Sequence, residues 1–183
     1  MKEIRRQSVH MALGLSFVVI GWLLGKSVLV ALLFLAFASG LFLVHYYLRG
    51  FRHWTIHHLL LLLDRPHWLP AKGALFYVVG ALFLLSFTEF SFALGVLAII
   101  AAGDGLATIV GRQSSVRLPF RNEKSVGGLV FFILGGFAAS VFLLGFHDAV
   151  IYSIALGLVE AFVPGDDNLI IPVSAVILRT VLS

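Results

Sequence analysis

Seven apolar runs separated by short polar breaks leave this chain few options other than a bundle of membrane-crossing helices. The runs are Met11 to Leu24, Ser27 to Leu48, Gly73 to Phe87, Phe92 to Val110, Val126 to Gly145, Ala149 to Val163 and Leu169 to Leu182. A spanning helix needs about 20 mostly apolar residues to cross a hydrocarbon core about 30 Å thick. The first, third, sixth and seventh runs are short, so their ends are expected to reach into the headgroup region or into protein-lined cavities. Composition agrees: 60% of the 183 residues are hydrophobic and 12% charged, against about 25% charged in an average soluble domain. An ordinary soluble globule, a disordered tail and a secreted disulfide scaffold are excluded. The absence of cysteine excludes thiol catalysis, disulfide staples and cysteine metal sites as well. The expected fold class is all-α, a polytopic integral membrane helix bundle of about seven transmembrane helices, with residues 1–183 forming a single domain.

The largest break, Arg49 to Lys72, carries four of the seven histidines around the run Leu59 to Leu63. Five leucines are too few to cross, so an interfacial helix is expected there. His53 and His57 are one helical turn apart and His58 adjoins them. With no cysteine and no placed carboxylate partner, these read as interfacial surface groups rather than metal ligands. Lys2, Arg5 and Arg6 resemble the charged start of a secretory leader. The next apolar stretch leads straight into another span without a small-residue cleavage site, so no cleaved leader is expected.

Lysine and arginine accumulate in cytoplasmic loops close to the spans. With the N-terminus placed in the cytoplasm, eleven of the 13 basic residues fall on the inner side, leaving Lys26 and Arg179 outside. The acids sort the same way, with only Glu89 and Asp148 outside. The pI near 9.8 therefore reflects a membrane topology, and no nucleic-acid partner is expected.

Asp104 lies in Gly103-Asp104-Gly105, inside an apolar run and, on a continuous helix, about 12 Å below Arg112. A carboxylate at that depth costs several kcal/mol unless it is paired, bound to a cation or open to water. A structural ion pair with an arginine is the bland alternative. A second acidic cluster, Asp166-Asp167-Asn168, follows Pro164-Gly165 and is preceded by Glu160. Adjacent carboxylates repel unless a cation neutralises them, and their oxygens suit a hard ion such as Mg²⁺. Ordinary turn and capping chemistry explains the same residues.

Between the fourth and fifth runs, Arg112, Arg117, Arg121 and Lys124 precede Ser125, Gly127 and Gly128 at a helix start. Side-chain charge and bare backbone N–H groups would clamp phosphates. The alternative is a solvated loop held near anionic lipid headgroups. Near the start, Glu3, Arg6 and His10 fall on roughly one helical face, within reach of the same vestibule, although basic residues anchoring the first span by snorkelling fit the spacing at least equally.

Taken in order, these elements resemble the CTP-dependent lipid kinases, the family of dolichol kinase, phytol kinase and the CTP-using diacylglycerol kinase, with a more distant likeness to phosphatidate cytidylyltransferases. Glu3-x-Arg5-Arg6-x3-His10 is similar to the family's opening motif, and Lys72-Gly73 to its Lys-Gly element. Gly103-Asp104-Gly105-x-Ala107 with Gly111-Arg112 is similar to its central signature. Lys124-Ser125-x-Gly127-Gly128, Glu160-Ala161 and Asp167-Asn168-Leu169 resemble the later elements. Where the family has a glutamate, this chain has Gly127, so that carboxylate's task is vacant or falls to Glu123.

The resemblance implies CTP as donor, Mg²⁺ as cofactor and a membrane lipid alcohol as acceptor, either a polyprenol, dolichol or phytol-type isoprenoid alcohol or a diacylglycerol. On this reading Mg²⁺ sits on Asp104 and Asp167, helped by Asp166 and Asn168. Arg112, Arg121 and Lys124 hold the triphosphate, with Ser125, Gly127, Gly128, Arg6, His10 and Lys72 beside them, and Glu160 is the general base. Two rival functions are a cytidylyltransferase making a CDP-lipid and a non-catalytic transporter or assembly protein. The expected setting is a prokaryotic plasma membrane with the active site facing the cytoplasm. Membrane lipids are the surrounding partners, and a homo-oligomer is compatible with the pattern.

Overall fold

The computed structural model of the chain describes residues 2–50, 71–119 and 121–182. The interfacial helix expected around Leu59 to Leu63, His53, His57 and His58, and the side chains of Lys2 and Glu3, lie outside the described residues.

Seven helices and one small hairpin make up the described chain: α1 (Lys2–Leu24), α2 (Lys26–Leu48), α3 (Lys72–Phe87), α4 (Phe90–Gly111), β1 (Arg117–Leu118), β2 (Arg121–Ser125), α5 (Val126–Leu144), α6 (Phe146–Phe162) and α7 (Asp167–Leu182). Each expected span coincides with one helix. Four of them, α1, α2, α4 and α5, are long and apolar enough to cross a membrane. Helices α3, α6 and α7 have 16, 17 and 16 residues and are short, as expected.

The first span departs from expectation. It is not short, because α1 has 23 residues and starts well before the apolar run. Arginine and glutamine are good helix formers, so a fall in hydropathy marks where lipid ends, not where the helix ends. This extension carries Arg6, Gln7 and His10 on a rigid element.

Single glycines reverse the chain between α1 and α2 and between α5 and α6. Gly25 has φ 88° and Gly145 φ 79°, a region open to glycine without steric cost. Such tight reversals keep consecutive helices side by side and alternate their direction.

Helix α4 occupies the middle of the bundle: 72% of its apolar window is buried, against 17 to 28% in the other three long helices. Its small residues let neighbouring backbones come close on several sides, the usual basis of helix packing in lipid. A Cβ at Gly103 would lie 3.1 Å from the Phe132 carbonyl oxygen, and one at Gly128 of α5 would lie 3.2 Å from the Ala107 carbonyl oxygen. Helix α5 therefore runs along α4 at close range, with α1 on another flank of α4, while α3 packs against α2 and α7. The fully buried side chains Leu97, Ile99, Ile100, Phe132, Tyr152, Leu156 and Ile171 fill the space among α4, α5, α6 and α7.

The stretch expected as a loop between α4 and α5 folds into an antiparallel hairpin, pairing Arg117 with Ser125 and Leu118 with Arg121. A two-residue strand is too short to show an alternating pattern in sequence. The buried Leu118 pins it.

Charge sorts to the two ends of the bundle. At the end opposite the hairpin, Arg179 donates to Asp148 at 3.4 Å and to Glu89 at 3.2 Å, and lies over the Phe92 ring at 4.9 Å. Most of the remaining described charges gather around the hairpin.

Candidate active site

A cavity of about 360 Å³ opens at the hairpin end. Because helices alternate in direction, it receives the start of α1, α3, α5 and α7 and the end of α4 and α6. Its walls carry Arg6, Gln7 and His10 from α1, Lys72 and Gly73 from α3, and Asp104, Thr108 and Arg112 from α4. The hairpin adds Arg117, Arg121, Glu123, Lys124 and Ser125; Gly128, Glu160, Asp166, Asp167 and Asn168 complete it.

Residues as far apart in sequence as Arg6 and Asn168 thus meet in one place. Of the site residues expected from sequence, only Gly127 is not in the lining. A side chain added there would start 2.9 Å from Cβ of Ser114, so the position faces the turn after α4. Glu123, the other candidate for the missing carboxylate, has a side chain 77% exposed and lies 3.8 Å from Arg121.

One oxygen each from Asp104, Glu160 and Asp167 lie within 4.8 Å of one another. That spacing is close to the roughly 4 Å across which opposite ligands face each other around Mg²⁺. Three hard carboxylate oxygens therefore fit a divalent cation in both chemistry and reach. The set differs from the one expected from sequence, because Glu160 joins it while Asp166 and Asn168 are engaged elsewhere. Asp166 pairs with Lys72 at 3.2 Å, and its other oxygen accepts from the Asn168 N–H. The Asn168 amide donates to the Gly73 carbonyl at 3.2 Å, fastening α7 to the start of α3.

Lys124 spans two members of the triad. Its ammonium donates to Asp167 Oδ2 at 2.8 Å and to Glu160 Oε1. Burial alone would lower its pKa, but Asp167 and Glu160 outweigh that and hold it above the ordinary lysine value.

Several expected phosphate groups are also tied into the scaffold. The Ser125 hydroxyl donates to the Gly111 carbonyl at 3.0 Å and accepts from the Gly128 N–H at 3.1 Å. One side chain thereby caps the end of α4 and the start of α5, fixing where Lys124 enters the cavity. Arg121 donates to the carbonyls of Glu160 at 3.3 Å and Val163 at 2.8 Å, a favourable place for a cation at the end of α6. His10 meets the Tyr77 ring edge-on, with centroids 5.5 Å apart.

Sequence reasoning missed Gln7. Its amide is buried, 3% exposed, and Nε2 donates to Asp104 Oδ2 at 2.7 Å. The signal was the carboxylate itself: Asp104 at membrane depth needs a donor, and Gln7 lies next to the Arg6 and His10 face.

The geometry agrees with what the chain resembles among known proteins. It is 30% identical to an uncharacterized protein of Methanocaldococcus jannaschii, over 94% of this chain and 90% of that one. It is 36% identical to the chloroplastic phytol kinase 1 of Arabidopsis thaliana over 44% of this chain, and 32% identical to the chloroplastic farnesol kinase of the same plant over 76% of this chain. The chain spans 28% of that phytol kinase and 47% of that farnesol kinase. No family model matches, and no solved structure matches. With seven helices among the described residues, a charged cavity at one end and this set of relatives, the chain belongs to the membrane family of the phytol and farnesol kinases.

Proposed function

We propose that the protein transfers the γ-phosphoryl group of a nucleoside triphosphate, CTP, to the hydroxyl of an isoprenoid alcohol, giving the lipid monophosphate, the nucleoside diphosphate and a proton. The observation that carries this reading is a carboxylate triad facing cationic side chains inside one cavity at the end of a lipid-embedded bundle. The names of the plant relatives supply the acceptor class.

Phosphoryl transfer asks for positioning and for neutralising phosphate charge, with little covalent chemistry left to the protein. Asp104, Glu160 and Asp167 would hold Mg²⁺, which when bound draws charge from the phosphate oxygens. Arg112, Arg117, Arg121 and Lys124 line the side from which a triphosphate would be gripped. Glu160, expected as the base, is better read as a metal ligand, because it is already ion-paired and grouped with the other two acids. Arg6 and Lys72 complete the cationic wall, with His10 beside them. The acceptor's chain remains in the bilayer while its hydroxyl enters the cavity.

The test is incubation of purified protein with Mg²⁺, phytol or farnesol, and CTP labelled at either the α or the γ phosphorus. Label from the γ position in the lipid is expected. Label from the α position would mean nucleotidyl transfer, and no labelled lipid from CTP, or from ATP, GTP or UTP put in its place, would overturn an enzymatic reading.

Gln7 acts in this proposal as a positioning residue for Asp104. Loss of a hydrogen bond behind a metal ligand typically costs about 10- to 100-fold in metal affinity or activity. Gln7→Leu should therefore raise the Mg²⁺ concentration for half-maximal activity by about that factor, measured as a metal activation curve.

The cavity end is proposed to face the cytoplasm, on the strength of the basic residues gathered there. The chain has no cysteine, so single introduced thiols report without background. Ser115→Cys should react with a membrane-impermeant maleimide only after the cells are opened. His147→Cys, at a side chain 86% exposed on the other end, should react in intact cells. The reverse pattern would invert the topology.

A further inference from the structure

We propose that Lys124 is the resident cation of the carboxylate triad, and that the site accepts a divalent ion only together with a polyphosphate, as a metal–triphosphate pair rather than as a free ion. This rests on the kinase reading above and names the species in which its metal arrives.

The triad is not an open cage. Lys124 donates to both Glu160 and Asp167, two of the three groups whose oxygens would ligate a metal. Glu160 is 4% exposed, so its carboxylate has little water to turn to and depends on the ammonium. A divalent ion and the ammonium compete for the same lone pairs, and their like charges repel at such short range. For the metal to enter, the Lys124 ammonium must leave two carboxylates.

An ammonium expelled from a partly buried site is costly unless another acceptor receives it. A free metal ion brings none. A metal-bound triphosphate brings anionic oxygens, which accept hydrogen bonds from Lys124 as the ion takes its place on the acids.

The surroundings favour this exchange. Arg117 and Arg121 lie on the same hairpin as Lys124 and line the same cavity, so an anion held by their guanidiniums lies beside the lysine. Asp166 is likewise already paired, with Lys72. Asp104 is bonded to the neutral amide of Gln7 and gives the incoming ion a foothold without an ammonium in the way. The exchange makes metal and phosphate binding mutually strengthening, as coupling between two ligands requires.

Equilibrium dialysis of the detergent-solubilised full chain reads this directly as protein-retained manganese, with Mn²⁺ alone or with Mn²⁺ plus inorganic triphosphate. The wild-type chain should retain Mn²⁺ at least about tenfold more tightly when triphosphate is present. Lys124→Gln should bind Mn²⁺ alone at least about tenfold more tightly than wild type, with the triphosphate effect reduced. Lys124→Arg, which keeps the charge, should behave as wild type, and Lys124→Met replaces the glutamine variant if that variant loses its helical circular dichroism signal. Wild type binding Mn²⁺ alone as tightly as Lys124→Gln would overturn the inference and leave the kinase reading standing. No manganese retained by any variant, with or without triphosphate, would remove the metal triad and this inference with it.

Discussion

Asp104→Asn is expected to lower phosphoryl transfer by about 10³-fold, equivalent to about 4 kcal/mol of transition-state stabilisation, while leaving the fold intact. The asparagine side chain keeps an oxygen that accepts from the Gln7 amide, which now bonds Asp104 at 2.7 Å, so no buried donor is orphaned. What disappears is one of the three carboxylates grouped within 4.8 Å of one another, the set proposed above to hold a cation. The check is turnover of purified variant whose helical content and thermal midpoint match wild type. Unchanged turnover in such a preparation would remove Asp104 from the site.

The second large effect is on assembly. In Gly80→Ala, the added Cβ would stand 2.3 Å from the Asn168 carbonyl oxygen and 2.7 Å from Cγ of Pro172. Pro172 lies inside α7 and has no N–H, so the Asn168 carbonyl lacks its usual helical partner. Gly80 is what allows that turn to lie against α3. Neither the carbonyl nor the proline ring can move aside cheaply, so overpacking here should cost about 3 kcal/mol. The displaced turn carries Asp166, Asp167 and Asn168, so activity should fall along with the thermal midpoint in detergent. A variant with unchanged midpoint would show that α3 and α7 are not packed this closely.

These two predictions differ in how far sequence alone reaches them. Asp104 was legible because an ionisable group within an apolar run is costly and needs a reason. The Asp166-Asp167-Asn168 turn and the basic stretch ending at Lys124 were legible as two patches with opposite charge on the same side. Their division of labour was not. Sequence placed Asp166 and Asn168 with the metal, whereas Asp166 is held by Lys72 and Asn168 fastens α7 to α3. It made Glu160 the base, whereas Glu160 sits with Asp104 and Asp167 around a common point. Neighbours in sequence at a helix start point in different directions, so adjacency says little about which oxygen faces the cavity.

Ser125 shows the same limit. A serine followed by glycines at a helix start reads as a phosphate cradle, yet its hydroxyl is spent on capping α4 and α5. Gly127 reads as part of that cradle and faces Ser114 instead.

Hydropathy determined the seven helices of the described residues and the gathering of charge at two ends, because lipid tolerates only long apolar segments and alternating helices send every second loop to the same side. Which polar groups touch was decided by the tertiary structure. One helical turn along an axis is about 5.4 Å, larger than the spacing within the triad, so the site exists only in one registration of α1, α4, α6 and α7. That registration is held by close contacts of Gly14 in α1 with Ala101 of α4, of Gly103 and Gly128 between α4 and α5, of Gly157 in α6 with Phe132 and Ile133 of α5, and of Gly80 in α3 with α7, together with the Ser125 cap, and no single segment of sequence contains it.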